Sequence, residues 1–123
     1  MKFFTVHLHP LAQENLDAGI AWFDNPARGQ AWLDEMMEAI AGLETLPFAS
    51  APLNPRRFPP NVRQALEQLD YEVRQKVVGE YYVRFHVDED QARVLVLQVV
   101  SARSADRPEL FLPARLPESD PSP

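Results

Sequence analysis

Residues 71–103, "YEVRQKVVGEYYVRFHVDEDQARVLVLQVVSAR", decide the fold. Three runs rich in Val, Tyr and Phe are separated by Gly79-Glu80 and by the acidic turn "DEDQ" at 88–91, the pattern of a three-stranded antiparallel meander. A two-residue turn at Gly79-Glu80 sets the register. Val78 falls opposite Tyr81, Val77 opposite Tyr82, Gln75 opposite Arg84 and Val73 opposite His86. Successive side chains alternate between faces, so Tyr81, Val83, Phe85 and Val87 are expected on the core face. Val73, Gln75, Val77, Tyr82, Arg84 and His86 then share an open face. The last run is apolar at nearly every position from Val94 to Val100, as expected of a strand central in its sheet or covered on both sides.

Outward from the meander, "FFTVHLH" at 3–9 alternates, with Phe4, Val6 and Leu8 on one side, and predicts a strand at about 2–8. Pro10 suits the first turn of a helix, and Leu16, Ile20 and Phe23 recur at helical spacing to about Asp24. Asn25-Pro26 reads as an N-cap followed by proline at the first helical position. The stripe Trp32, Met36, Ile40 and Leu43 continues until Pro47 stops it. The two helices form an antiparallel hairpin, with Trp22 and Trp32 as packing residues and Asp34, Glu35, Glu38 and Glu44 on a solvated face that would attract a basic partner segment. Five prolines fall in the fifteen residues 47–61, which excludes a regular element there. A short helix is expected in "NVRQALEQLD". The tail at 106–123 is proline-rich and polar at its end, and partial disorder is expected of it.

With 123 residues, 46% apolar and 24% charged, the chain suits one compact domain at 1–105 that buries roughly two-thirds of its unfolded surface. No run approaches the roughly 18 apolar residues of a membrane span. The first ten residues alternate where a signal peptide is continuously apolar, so the expected location is the cytoplasm. The absence of cysteine excludes disulfides and thiolate metal sites. A formal net charge of −6 argues against tight general nucleic-acid binding, whose affinity comes from Lys and Arg neutralising phosphates. Five of the twelve Lys and Arg residues, Arg74, Lys76, Arg84, Arg93 and Arg103, nevertheless fall in the meander. His7 and His9 share a strand face, but the expected strand order leaves His86 on the order of 10 Å away, so no metal is expected, and no cofactor.

The segments at 9–47 and 73–103, with the phrase "VVGEYYVRFHVDED", resemble the RelE/ParE superfamily of toxins from type II toxin-antitoxin pairs, the phrase being most similar to the ParE branch. The resemblance covers about residues 3–46 and 71–104, and implies an α+β fold: an N-terminal strand, the helix hairpin, and the meander completing one sheet. The proline-rich insert at 47–60 is longer than the family's usual connection. A cognate antitoxin is the implied partner. The implied activities are inhibition of DNA gyrase in the ParE branch and ribosome-dependent mRNA cleavage in the RelE branch; a degenerate member would bind its antitoxin without toxicity.

RelE-like nucleases carry Lys and Arg on the open face, where cations stabilise charge on the phosphate and a nearby group moves the 2′-hydroxyl proton. Here the matching positions read Val73, Gln75 and Val77, the usual arginine just past the turn is Tyr82, and the later tyrosine is absent from "SADRPELF". Arg103 alone keeps its place. The catalytic candidates, should the chain be a nuclease, are Arg103, Arg84 and His86, and Arg93 shares their face. A binding protein is favoured over an enzyme, with Arg74, Lys76, Arg103, Leu110 and Phe111 as partner contacts. Arg74 and Lys76 also read as charges that keep an edge strand from pairing. A one-residue shift in register would carry both to the open face. The expected core is Phe4, Val6, Leu16, Ile20, Phe23, Met36, Ile40, Leu43, Val83, Phe85, Val94 and Val96.

Overall fold

Along the chain, β1 (Thr5–Leu8), α1 (Pro10–Trp22), α2 (Pro26–Ala41), α3 (Pro60–Glu67), β2 (Arg74–Val78), β3 (Tyr81–Asp88) and β4 (Arg93–Ser101) follow one another. The computed structural model describes residues 3–103 and Leu112. The four strands form one sheet in the order β1-β4-β3-β2, with β1 parallel to β4 and the other pairs antiparallel. The fold is therefore α+β, and β4 is central. Leu110, Phe111 and nearly all of the tail lie outside the described residues. No helix among the described residues is long and apolar enough to cross a membrane.

Both long helices begin on a proline, whose fixed φ and missing N–H suit the first turn. Asn25 Oδ1 accepts from Ala27 N at 2.8 Å. At α1 the same office falls to His9, whose Nδ1 accepts from Leu11 N at 3.0 Å, a cap the sequence pattern had left as a strand residue. α1 stops at Trp22, two residues short of Asp24. α2 stops at Ala41 and not near Pro47, because Gly42 opens a 3₁₀ turn at Gly42–Glu44 and a second follows at Pro47–Ala49. The Lys76 ammonium donates to the Ala39 carbonyl at 2.8 Å, satisfying one of the acceptors that the end of α2 leaves over.

The hairpin closes on Trp32. A Cβ at Gly19 would collide with the indole, so glycine is what lets α1 lie against it. The Tyr81 ring meets the indole edge-on at 5.3 Å and Phe23 lies 6.0 Å away. Trp22 departs from expectation: it is 77% exposed. The buried stripe of α1 runs through Ala12, Leu16 and Ile20, and residue 22 points some 200° around the helix from residue 20.

The β2–β3 register is the one expected, from Val78 opposite Tyr81 to Arg74 opposite Phe85. Gly79 holds φ at +60° in the connecting turn, a value that glycine adopts without strain. One irregularity lies elsewhere. Arg84 pairs with Gln98 but Phe85 pairs with Val96, so Leu97 is an extra residue on β4. Val94, Val96 and Val99 pack with Val83, Phe85, Leu16, Met36, Ile40 and Leu43 on the helix side, while Leu97 turns to the far side. Beyond the end of β1, α1 takes over the edge of β4, where Val99 N donates to Asn15 Oδ1 at 2.9 Å.

The far face, expected to be open, is covered over much of its extent, though Val77 is 64% exposed. Val73, Leu97 and Leu112 are buried there beneath Leu53, Leu66, Leu69 and Tyr71. The proline-rich segment reaches this position by pairing with β2: Leu53 N donates to the Val73 carbonyl at 2.8 Å, and Gln75 N to the Ala51 carbonyl at 3.3 Å. The physical reason is that Leu95 and Leu97 cannot be left in water without losing about 25 cal/mol per Å² of apolar surface. Phe85→Ala is expected to cost about 3–5 kcal/mol and Leu97→Ala, on the opposite face, about 2–5 kcal/mol, both as single cooperative transitions in urea. An unchanged midpoint for Leu97→Ala would remove the far layer from the folding unit.

Candidate functional site

Between the sheet and the proline-rich segment lies a cleft of about 540 Å³. Gln75, Tyr82 and Arg84 form its floor from β2 and β3, and Asn54, Arg57 and Phe58 form its wall. Asn54 and Arg57 are placed by the 3₁₀ turn Pro55–Arg57, which repeats the Asn-Pro grammar of α2: Asn54 Oδ1 accepts from Arg56 N at 3.0 Å.

Arg84 is the central group, 5% exposed despite its charge. Its Nε donates to Gln75 Oε1 at 2.9 Å and its Nη1 to Gln98 Oε1 at 3.1 Å, from the strands on either side. The guanidinium also lies 5.7 Å from the Phe58 ring centre and 5.9 Å from that of Tyr82. Amide oxygens and ring faces stabilise a buried cation without neutralising it. Among the described residues, the side chains lining the cleft include two guanidiniums and neither a carboxylate nor an imidazole.

The expected site residues do not converge. His86 stands two residues from Arg84 on the same face, about 7 Å along the strand. Its Nδ1 lies 2.8 Å from the Glu72 carbonyl, an acceptor, which puts the ring proton on Nδ1. Its ring meets Tyr71 edge-on at 5.6 Å. Arg93 is 3.9 Å from Asp88, its cross-strand partner. Arg103 is exposed just past β4, next to Ala102, which lines the cleft. On the helix side of the edge strand, Arg74 donates to the Ser50 carbonyl at 2.7 Å, pairs with Glu72 at 3.0 Å and lies 4.8 Å from the Phe48 ring centre. Arg57, Phe58 and Asn54 went unread as site residues because they belong to a segment whose prolines show only that it is irregular.

Two solved structures share this architecture. A chain of the toxin-antitoxin complex RelBE2 from Mycobacterium tuberculosis matches with a TM-score of 0.54 and 19% identity, over 80% of this chain and 98% of that one. A chain of the chromosomal ParDE toxin-antitoxin system from P. aeruginosa matches with a TM-score of 0.58 and 14% identity, over 80% and 96%. No protein-family model and no curated protein matches the sequence. The fold is RelE/ParE-like.

Two outcomes follow from the geometry. Arg84→Lys keeps the charge but cannot reach both glutamines in the plane of a guanidinium, and should cost about 1–3 kcal/mol in urea denaturation. Burial pushes the Tyr71 phenol up from 10.0 to about 12, with Asp70 adding to the effect. The fold thus favours the neutral phenol: its contribution is complete below pH 10 and is lost as the pH rises towards 12, where the unfolded chain ionises first. Stability should fall across that window in the parent chain and fall less in Tyr71→Phe.

Proposed function

We propose that this chain, with its RelE/ParE-like fold, is the toxin of a type II toxin-antitoxin pair, and that it acts by binding and inhibiting DNA gyrase. The fold likeness to chains of two toxin-antitoxin systems supports the first half. One observation supports the second: the sheet cations are engaged in holding the fold. Arg84 bonds two glutamines, Arg74 bonds Ser50 and Glu72, and Lys76 bonds the end of α2. Cleaving RNA requires a proton carrier and a cation converging on one phosphate. The cleft offers cations, but among the described residues that line it there is neither an imidazole nor a carboxylate.

A protein contact needs less. The exposed Arg103, just past the end of β4, provides charge for the target or for the antitoxin. Leu110 and Phe111, which lie outside the described residues, are the apolar residues assigned to the same role from the sequence. The place of action is the cytoplasm, where gyrase is found.

The test is supercoiling of relaxed plasmid by purified gyrase. The chain should block it, and Arg103→Glu, at an exposed side chain, should weaken the block roughly tenfold or more by placing like charges together. Gyrase unaffected by the chain at any concentration would contradict the proposal, leaving a nuclease or an antitoxin-binding protein without toxicity.

A further inference from the structure

We infer that a second surface, the outer face of α2 together with the groove at its C-terminal end, binds a basic amphipathic segment of a protein partner. The groove, of about 390 Å³, lies where the second 3₁₀ turn passes the start of β1. Phe4, Pro47 and Ala49 line it, with Leu46 and Phe48 at its opening and Glu89 from the β3–β4 turn beside them. Leu46 is 68% exposed and Phe48 44%. Phe48 is nonetheless fixed in place, with Phe4 edge-on at 6.0 Å and the Arg74 guanidinium against its ring. An exposed but immobilised aromatic beside an exposed leucine loses little freedom when an apolar side chain enters.

Charge identifies the occupant. From residue 29 to residue 55 the chain has no Lys, Arg or His, and its charged residues are Asp34, Glu35, Glu38 and Glu44. All four are exposed. Asp34, Met37, Glu38, Ala41 and Glu44 recur at helical spacing, so acidic and apolar side chains alternate along one exposed stripe that runs into the groove. Arg74, whose guanidinium lies against the Phe48 ring, is paired with Glu72, and the Lys76 ammonium at the end of α2 donates to the Ala39 carbonyl. A segment with bulky apolar residues at i, i+3, i+4 and i+7 and Lys or Arg between them matches this surface in both respects. An acidic segment meets like charge along Asp34, Glu38 and Glu44.

The surface is separate from the cleft, and the inference does not depend on gyrase being the target. The experiment is a titration of the isotope-labelled full chain with a synthetic peptide bearing leucines at that helical spacing and lysines elsewhere. Amide shifts should change at residues 34–49 and at 89, and the affinity should fall as salt is raised. Leu46→Asp, and separately the pair Glu38→Lys with Glu44→Lys, should weaken binding roughly tenfold or more while leaving the melting temperature unchanged, because these side chains are exposed. Shift changes centred elsewhere, unaltered affinity in both variants, or equal affinity for a peptide with glutamates in place of the lysines would each overturn the inference. A failed titration would leave the supercoiling result as it stands, and the reverse.

Discussion

β4 is apolar on both faces, and the rest of the structure accommodates that constraint. On one side Val94, Val96 and Val99 meet the helix hairpin; on the other Leu95 and Leu97 need an equal cover. An apolar strand between two paired neighbours can be shielded only by layers above and below it. The proline-rich segment and α3 make the second layer; the segment pairs with β2 only around Pro52, and its prolines, which lack the N–H of a ladder donor, keep that pairing short. The extra residue at Leu97 turns two successive positions of β4 to the same side. One of them is Gln98, which puts a polar acceptor under Arg84.

This cover changes the chemistry of the sheet. A basic face open to solvent would present its cations to any polyanion. Beneath the added layer Arg84 is instead withdrawn from water and held between Gln75 and Gln98, where its hydrogen bonds favour one position of β2 relative to β4. Arg74 and Lys76 are fixed by backbone carbonyls of Ser50 and Ala39, thereby tying the edge strand to the proline-rich segment and to α2. Cations that organise a fold are poorly placed to follow charge developing on a substrate. The acidic stripe of α2, by contrast, is exposed throughout, so the two sides of the molecule are suited to different partners.

Much of this was legible in the sequence. The Gly79-Glu80 turn fixed the β2–β3 register, the apolar run at 94–100 placed β4 centrally, and nine of the twelve expected core residues are buried in the helix-side cluster, with Val6, Ile20 and Phe23 half-buried against it. What escaped were features that local pattern does not encode. Burial of Arg84 depends on Phe58, 26 positions away in a segment without periodicity. His9 caps α1 although its alternation with His7 marks it as a strand residue, and Asn15 bonds Val99 across 84 positions. Gly42 ended α2 early because the apolar spacing through Leu43 continues into a 3₁₀ turn, which buries the same face. Trp22 was assigned to the packing from its residue type, against the phase of its own helix.

The account turns on whether the covered sheet still cuts RNA, and the direct measurement is to map mRNA ends in a translating extract supplied with the purified chain. It predicts an unchanged pattern of ends, since among the described residues the cleft places neither an imidazole nor a carboxylate beside its guanidiniums. New ends at fixed codon positions that vanish with Arg103→Ala would contradict it.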